Sequence, residues 1–152
     1  ATTEAFEKKK ETPMFKKVDV LSIASYFEVT NDADIMSVPD LKVALNNTLK
    51  YSRGQKIIDQ IKELHEATGK PITFGELGIT NYVGAMSHPY QYVYPEGIQT
   101  NDEIQSVWYT AWIETMRQYD WFKGYYIFGI GDNASVYAPT AKTKATLYNL
   151  IK

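Results

Sequence analysis

The chain has 152 residues, 44% hydrophobic and 22% charged, with a formal net charge of −2, which allows one domain with a modest core and gives no charge bias towards nucleic acid. It has no cysteine, which excludes a disulfide framework and a thiolate nucleophile or metal site, and no apolar run approaches the ~20 residues needed to span a bilayer. Aromatic residues are the outlier: twelve Tyr, six Phe and three Trp make up 14% of the chain, and the flat apolar face and polar handle of Tyr and Trp suit sugar rings and protein interfaces alike.

Residues 1–16 are polar and charged, and Lys8-Lys9-Lys10 lies between Glu7 and Glu11, so this stretch reads as a solvated, helical or irregular lead-in that Pro13 stops. The first residue is Ala rather than Met and no signal-peptide pattern follows, so a processed or excised segment is expected. Residues 18–26, Val18-Asp19-Val20-Leu21-Ser22-Ile23-Ala24-Ser25-Tyr26, read as a strand, apolar on both parities. A loop with Glu28, Asp32 and Asp34 leads to Ser37, a helix N-cap signal followed by Pro39 and Asp40. Leu41, Ala44, Leu45, Thr48 and Leu49 then recur at helical spacing. Ser52 and Gln55 form a second capping signal, and Ile57, Ile58, Ile61 and Leu64 mark a helix face that Gly69 and Pro71 terminate.

The segment Lys70-Pro71-Ile72-Thr73-Phe74-Gly75-Glu76-Leu77-Gly78 reads as a buried strand over 72–76 with a carboxylate at its end. The order strand, helical crossover, strand predicts a parallel βαβ unit. An ionised carboxylate is costly within an apolar strand but tolerable at the C-terminal mouth of a parallel sheet, where α/β folds hold their chemistry. Glu76 is therefore the candidate catalytic residue, with a structural Glu bonded to loop amides as the alternative. The loop over 78–100 carries Tyr82, His88, Tyr90, Tyr92 and Tyr94 and is too long and aromatic for a plain linker. Thr100 and Glu103 suggest a capping box for a helix whose Trp108 and Trp112 are core residues. A third strand over 124–130 ends at Gly131-Asp132-Asn133, and a last helix from about Thr140 to Ile151 uses Leu147, Leu150 and Ile151 as its apolar face.

Three segments carry a resemblance. Phe15 to Ile23 followed by Ser25-Tyr26-Phe27, then Gly69-Lys70-Pro71 with Phe74-Gly75-Glu76-Leu77-Gly78, then Trp121-Phe122-Lys123-Gly124-Tyr125-Tyr126, resemble the sixth, seventh and eighth strands of glycoside hydrolase family 113. The resemblance implies α/β architecture: the last three βα units of a (β/α)8 TIM barrel, with residues 1–152 a single segment of its C-terminal part and the upstream strands missing. It implies a retaining, β-mannanase-like glycosidase acting on a polysaccharide, with Glu76 as nucleophile. Such an enzyme needs a second carboxylate roughly 5 Å away as acid/base, which in this family follows the fourth strand and so lies outside this chain. Tyr26 is placed to bond the nucleophile or a sugar hydroxyl, and Tyr82, His88, Tyr90, Phe128 and Asp132 are candidate sugar contacts. The expected partners are a carbohydrate substrate and the missing N-terminal barrel portion, from the same precursor or another chain.

The family's eighth strand is Trp-rich, whereas Ile127-Phe128-Gly129-Ile130 has no Trp. A catalytically inactive barrel that binds glycan or serves as a structural component is therefore the alternative, and a free-standing small α/β domain with a structural Glu76 is a third. No cofactor is called for, and His65, on an expected wet helix edge, and His88 have no ligand spacing. An extracellular or cell-surface location follows only from polysaccharide cleavage as a function. The apolar edges of a three-stranded sheet predict that this piece alone dimerises, aggregates or is held by a complementary fragment.

Overall fold

The computed structural model describes residues 13–30, 37–46, 56–131 and 135–152. Pro13–Lys16 forms a short 3₁₀ turn, and the lead-in before Pro13 lies outside the described residues. The elements then follow as β1 Leu21–Ala24, α1 Val38–Leu45, α2 Ile57–Thr68, β2 Ile72–Leu77, α3 Glu103–Met116, β3 Phe122–Ile127 and α4 Ala141–Ile151. The sheet order is β1-β2-β3 and both pairings are parallel, as successive βα units require.

Strand limits depart from expectation. β1 is shorter at both ends than 18–26, and β3 runs from Phe122 to Ile127 instead of over 124–130. Residues 128–131 form a turn in which Gly129 and Gly131 have φ of 77° and 88°, angles that leave β conformation and favour glycine.

The helix ends follow local chemistry. Ser37 caps α1, its Oγ accepting from the Asp40 amide at 3.3 Å, with Pro39 in the first turn. Gly69 closes α2 at φ 65° and its amide donates to the His65 carbonyl at 2.8 Å. Ser52, Gln55, Thr48 and Leu49 lie outside the described residues. The expected Thr100–Glu103 box does not form. Thr100 is held in an antiparallel bridge with Tyr82, and the Asn101 side chain accepts from the Glu103 amide at 2.9 Å instead. In α4, Thr143 and Leu147 are buried while Ile151 is 64% exposed, so the expected apolar face is rotated towards Thr143. His65 is not on a wet edge either: its ring stacks on Trp121 at 5.0 Å and its Nδ1 donates to the Lys70 carbonyl at 2.8 Å.

One core holds the assembly together. Leu21, Ile23, Ile72, Phe74 and Leu77 from the sheet pack with Leu41, Ile58, Ile61, Trp108, Trp112 and Leu147 from the four helices. Trp108 and Trp112 are fully buried, as expected, and Phe74 meets Trp112 edge to face at 5.3 Å. Residues of opposite parity in β1, Ser22 and Ala24, are exposed, as are Glu76 and Tyr126. The helices thus cover one face of the sheet and leave the other open.

Candidate functional site

Simple alternation along β2 would put Glu76 on the same face as Ile72 and Phe74, against the helices. A bulge prevents this. Ile23 pairs with Phe74 but Ala24 pairs with Glu76, so Gly75 is the extra residue. The β3 side shows the same step, with Phe74 opposite Tyr125 and Leu77 opposite Ile127. The bulge returns Leu77 to the core and delivers Glu76 to the open face at the C-terminal end of the middle strand. Gly75 leaves room at the step: a Cβ there would lie 2.1 Å from Ser22 Oγ, and the exposed Ser22 hydroxyl would have to move. The Glu76 carbonyl is held by two donors from buried Ser25, its amide at 2.8 Å and its hydroxyl at 2.7 Å.

Tyr26 is a partner of the Glu76 side chain. Its hydroxyl hydrogen-bonds the carboxylate, and its pKa is raised well above the ordinary 10.0, first by burial and then by the Glu76 negative charge. The phenol therefore stays protonated through the neutral range and acts as a donor. Its ring is met edge-on by Phe128 at 6.3 Å and Tyr137 at 5.9 Å, and these two meet each other at 5.4 Å. The Tyr137 pKa is pushed up to about 12, mainly by burial and then by the neighbouring Tyr94 and Tyr92 phenols.

The remaining candidates sit on the β2–α3 loop. Tyr82 packs against Tyr94 at 4.3 Å, and Tyr94 accepts from the Thr80 hydroxyl at 3.1 Å. Tyr82 is thus partly committed to loop structure. His88 and Tyr90 are exposed and form a cluster of their own, with rings 6.3 Å apart and the Tyr90 hydroxyl donating to Glu28 at 2.9 Å. Asp32, Asp34 and Asp132 lie outside the described residues. Glu76, Tyr26 and Phe128 are brought together, and Tyr137 joins them from the β3–α4 loop. Nothing in the sequence separated Tyr137 from the other eleven tyrosines, since its role depends on a chain reversal after β3. Buried Gln105 was also missed, because a polar residue on an aromatic helix carries no local signal of its partners.

An exposed carboxylate with a fixed phenol donor can serve as a nucleophile or base. Among the described residues no three acidic or histidine side chains lie together as a metal site, and no helix is long and apolar enough to cross a membrane.

A search of curated proteins finds no match. Two solved structures share the architecture. One is the β-mannanase AaManA from Alicyclobacillus acidocaldarius in complex with ManMIm, a member of glycoside hydrolase family 113, with TM-score 0.60 and 18% identity over 95% of this chain and 42% of that one. The other is a β-1,4-mannanase of the same family, with TM-score 0.62 and 16% identity over 95% of this chain and 43% of that one. The chain thus spans less than half the length of either structure. The likeness shows the fold, three βα units of a (β/α)8 barrel. The sequence profile of Glycoside Hydrolase Family 113 matches residues 3–151, nearly the full length, and the chain belongs to that family.

Proposed function

We propose that this chain is the nucleophile-bearing part of a retaining, β-mannanase-like glycoside hydrolase, with Glu76 attacking the anomeric carbon of a polysaccharide. The observation that carries this reading is the bulge that turns Glu76 out of the core at the sheet's C-terminal end, under the Tyr26 hydroxyl. Catalysis by retention needs a second carboxylate as acid/base roughly 5 Å from the first. Glu28, on the loop after β1, is engaged by Tyr90. The acid/base is assigned to barrel strands outside this chain, which also cover the open sheet face and pair with the free edges of β1 and β3. Phe128 serves as an apolar sugar contact beside Tyr26. Tyr82, His88, Tyr90 and Asp132 are proposed to line the substrate path from the loops.

The test is made on the barrel completed by its N-terminal portion. Glu76→Gln lowers kcat by roughly 10⁴-fold or more, the scale expected for losing a nucleophile, in a variant whose circular dichroism spectrum shows it folded. Glu76→Ala regains turnover on added azide and releases a glycosyl azide of inverted configuration. A completed barrel that binds glycan but cleaves none, with or without Glu76, replaces this reading with a glycan-binding or structural role.

A further inference from the structure

Tyr26 lies beyond the last residue of β1, so sheet pairing does not orient its ring. Three other features do. Phe128 and Tyr137 meet the ring edge-on, a favoured arrangement of aromatic pairs that adds attraction beyond burial. Gly78 forms their common floor: a Cβ there would lie 3.2 Å from Phe128 Cβ and 3.4 Å from both Tyr137 Cδ1 and Tyr26 Cε1. The Phe128 amide donates to the Leu77 carbonyl at 3.0 Å, which seats that ring next to Gly78.

Tyr137 is only 6% exposed although it lies in a loop, and the loop has its own anchor. Its amide donates to Ser135 Oγ at 3.2 Å, and the next amide, of Ala138, donates to the Ser135 carbonyl at 3.0 Å. Gln105, fully buried on α3, donates through Nε2 to the Ala138 carbonyl at 3.3 Å and to the Ile79 carbonyl at 2.9 Å. Its Oε1 accepts from the Thr140 amide at 3.0 Å and the Thr143 hydroxyl at 3.2 Å. One amide therefore ties the exit of β2, the Tyr137 loop and the start of α4 into a fixed relation.

We propose that Tyr137 and Phe128, closing on Gly78, are positioning residues that hold the Tyr26 hydroxyl on the Glu76 carboxylate, and that Gln105 sets the loop that brings Tyr137 there. Without the clamp, a phenol at an open rim exchanges its carboxylate bond for water. The clamp acts through ring shape, so the Tyr137 hydroxyl is dispensable.

The first test needs no turnover. In the barrel completed by its N-terminal portion and labelled with ¹³Cζ-tyrosine, the Tyr26 resonance is the one that Tyr26→Phe removes. Glu76→Gln moves it by changing its acceptor. Tyr137→Ala is expected to move it as well, Tyr137→Phe to leave it in place, and Gln105→Ala to move it in the direction of Tyr137→Ala. Gly78→Ala adds a methyl group instead of removing a ring, and it displaces the resonance independently should Tyr137→Ala fail to fold. A Tyr26 resonance unchanged in folded Tyr137→Ala or folded Gly78→Ala overturns the proposal.

The second test rests on the nucleophile reading of Glu76. In the completed barrel, Tyr137→Ala lowers kcat by roughly 10- to 100-fold, the scale of a misplaced group, with KM within a factor of about two and with Tyr137→Phe close to wild type. Equal loss in Tyr137→Phe and Tyr137→Ala overturns the ring-shape account. A wild-type barrel without turnover removes the nucleophile reading, and the resonance experiment still decides the clamp.

Discussion

The two faces of the sheet differ in kind. The helix-covered face is closed: Ile72, Phe74 and Leu77 are at most 1% exposed and meet indole and aliphatic side chains from the helices. The open face carries small residues low on the strands, Ser22, Ala24 and Gly75, and chemistry at the rim, Glu76, Tyr26 and Phe128. It also leaves Tyr126 70% exposed. Burial is concentrated on one side and the proposed site on the other, so a substitution should affect one with little effect on the other.

The largest stability effect is expected on the covered face. Trp112 is fully buried between Phe27, Phe74 and Trp108. Trp112→Ala should cost about 3–5 kcal/mol, measured by urea denaturation. A loss below about 1 kcal/mol would show that the covered face is not where the folding energy lies.

Next is the bulge, the point where the two faces exchange residues. Gly75→Ala drives a methyl group into the Ser22 hydroxyl and should cost about 1–3 kcal/mol. Because the close contact is to Oγ while Ser22 Cβ stands at 3.4 Å, adding Ser22→Ala should restore most of that loss in a double-mutant cycle. Additive losses would mean that Gly75 is needed for its backbone and not for the space it leaves.

Alkali should attack both faces through tyrosine. Tyr26, Tyr109 and Tyr137 have pKa values raised above the ordinary 10.0, and burial is the first cause in each. Tyr94 and Tyr125 are raised in the same sense. A folded pKa above the unfolded one gives stability that is complete below pH 10 and lost as pH climbs through the folded values. The urea midpoint should therefore be level from pH 8 to just below 10 and fall beyond it. Tyr137→Phe should make the fall shallower, and an unchanged slope would remove Tyr137 from that account.

The smallest effect on stability belongs to the open face. Tyr126→Ser should change the folding energy by no more than about 0.5 kcal/mol. It should nevertheless reduce self-association of the isolated chain in sedimentation velocity, because an exposed apolar strand beside a free edge recruits partners. A sharply monomeric wild-type chain would contradict the expectation that this face needs cover.

Much of the molecule is set by short-range patterning. Ser37, Gly69 and Pro71 punctuate the helices where expected, Ile57, Ile58, Ile61 and Leu64 turn inward, and Trp108 and Trp112 occupy the core. Each of these is a matter of residue type and spacing within a few turns of chain, which is the range over which capping and amphipathicity act. The strand that carries Glu76 was legible for the same reason, whereas Tyr26 was singled out through the family resemblance.

What only the tertiary structure decided was direction and company. Strict alternation would have buried Glu76, and a one-residue bulge, set by the neighbouring strands, reversed that. Asn101 took over the cap expected of Thr100, because Thr100 was drawn into a bridge with Tyr82. Tyr137 reached Tyr26 across more than a hundred residues through a loop anchored by Gln105. Local propensities reach about one helical turn along the chain, whereas a register shift or a ring clamp depends on segments brought together only after the chain has packed.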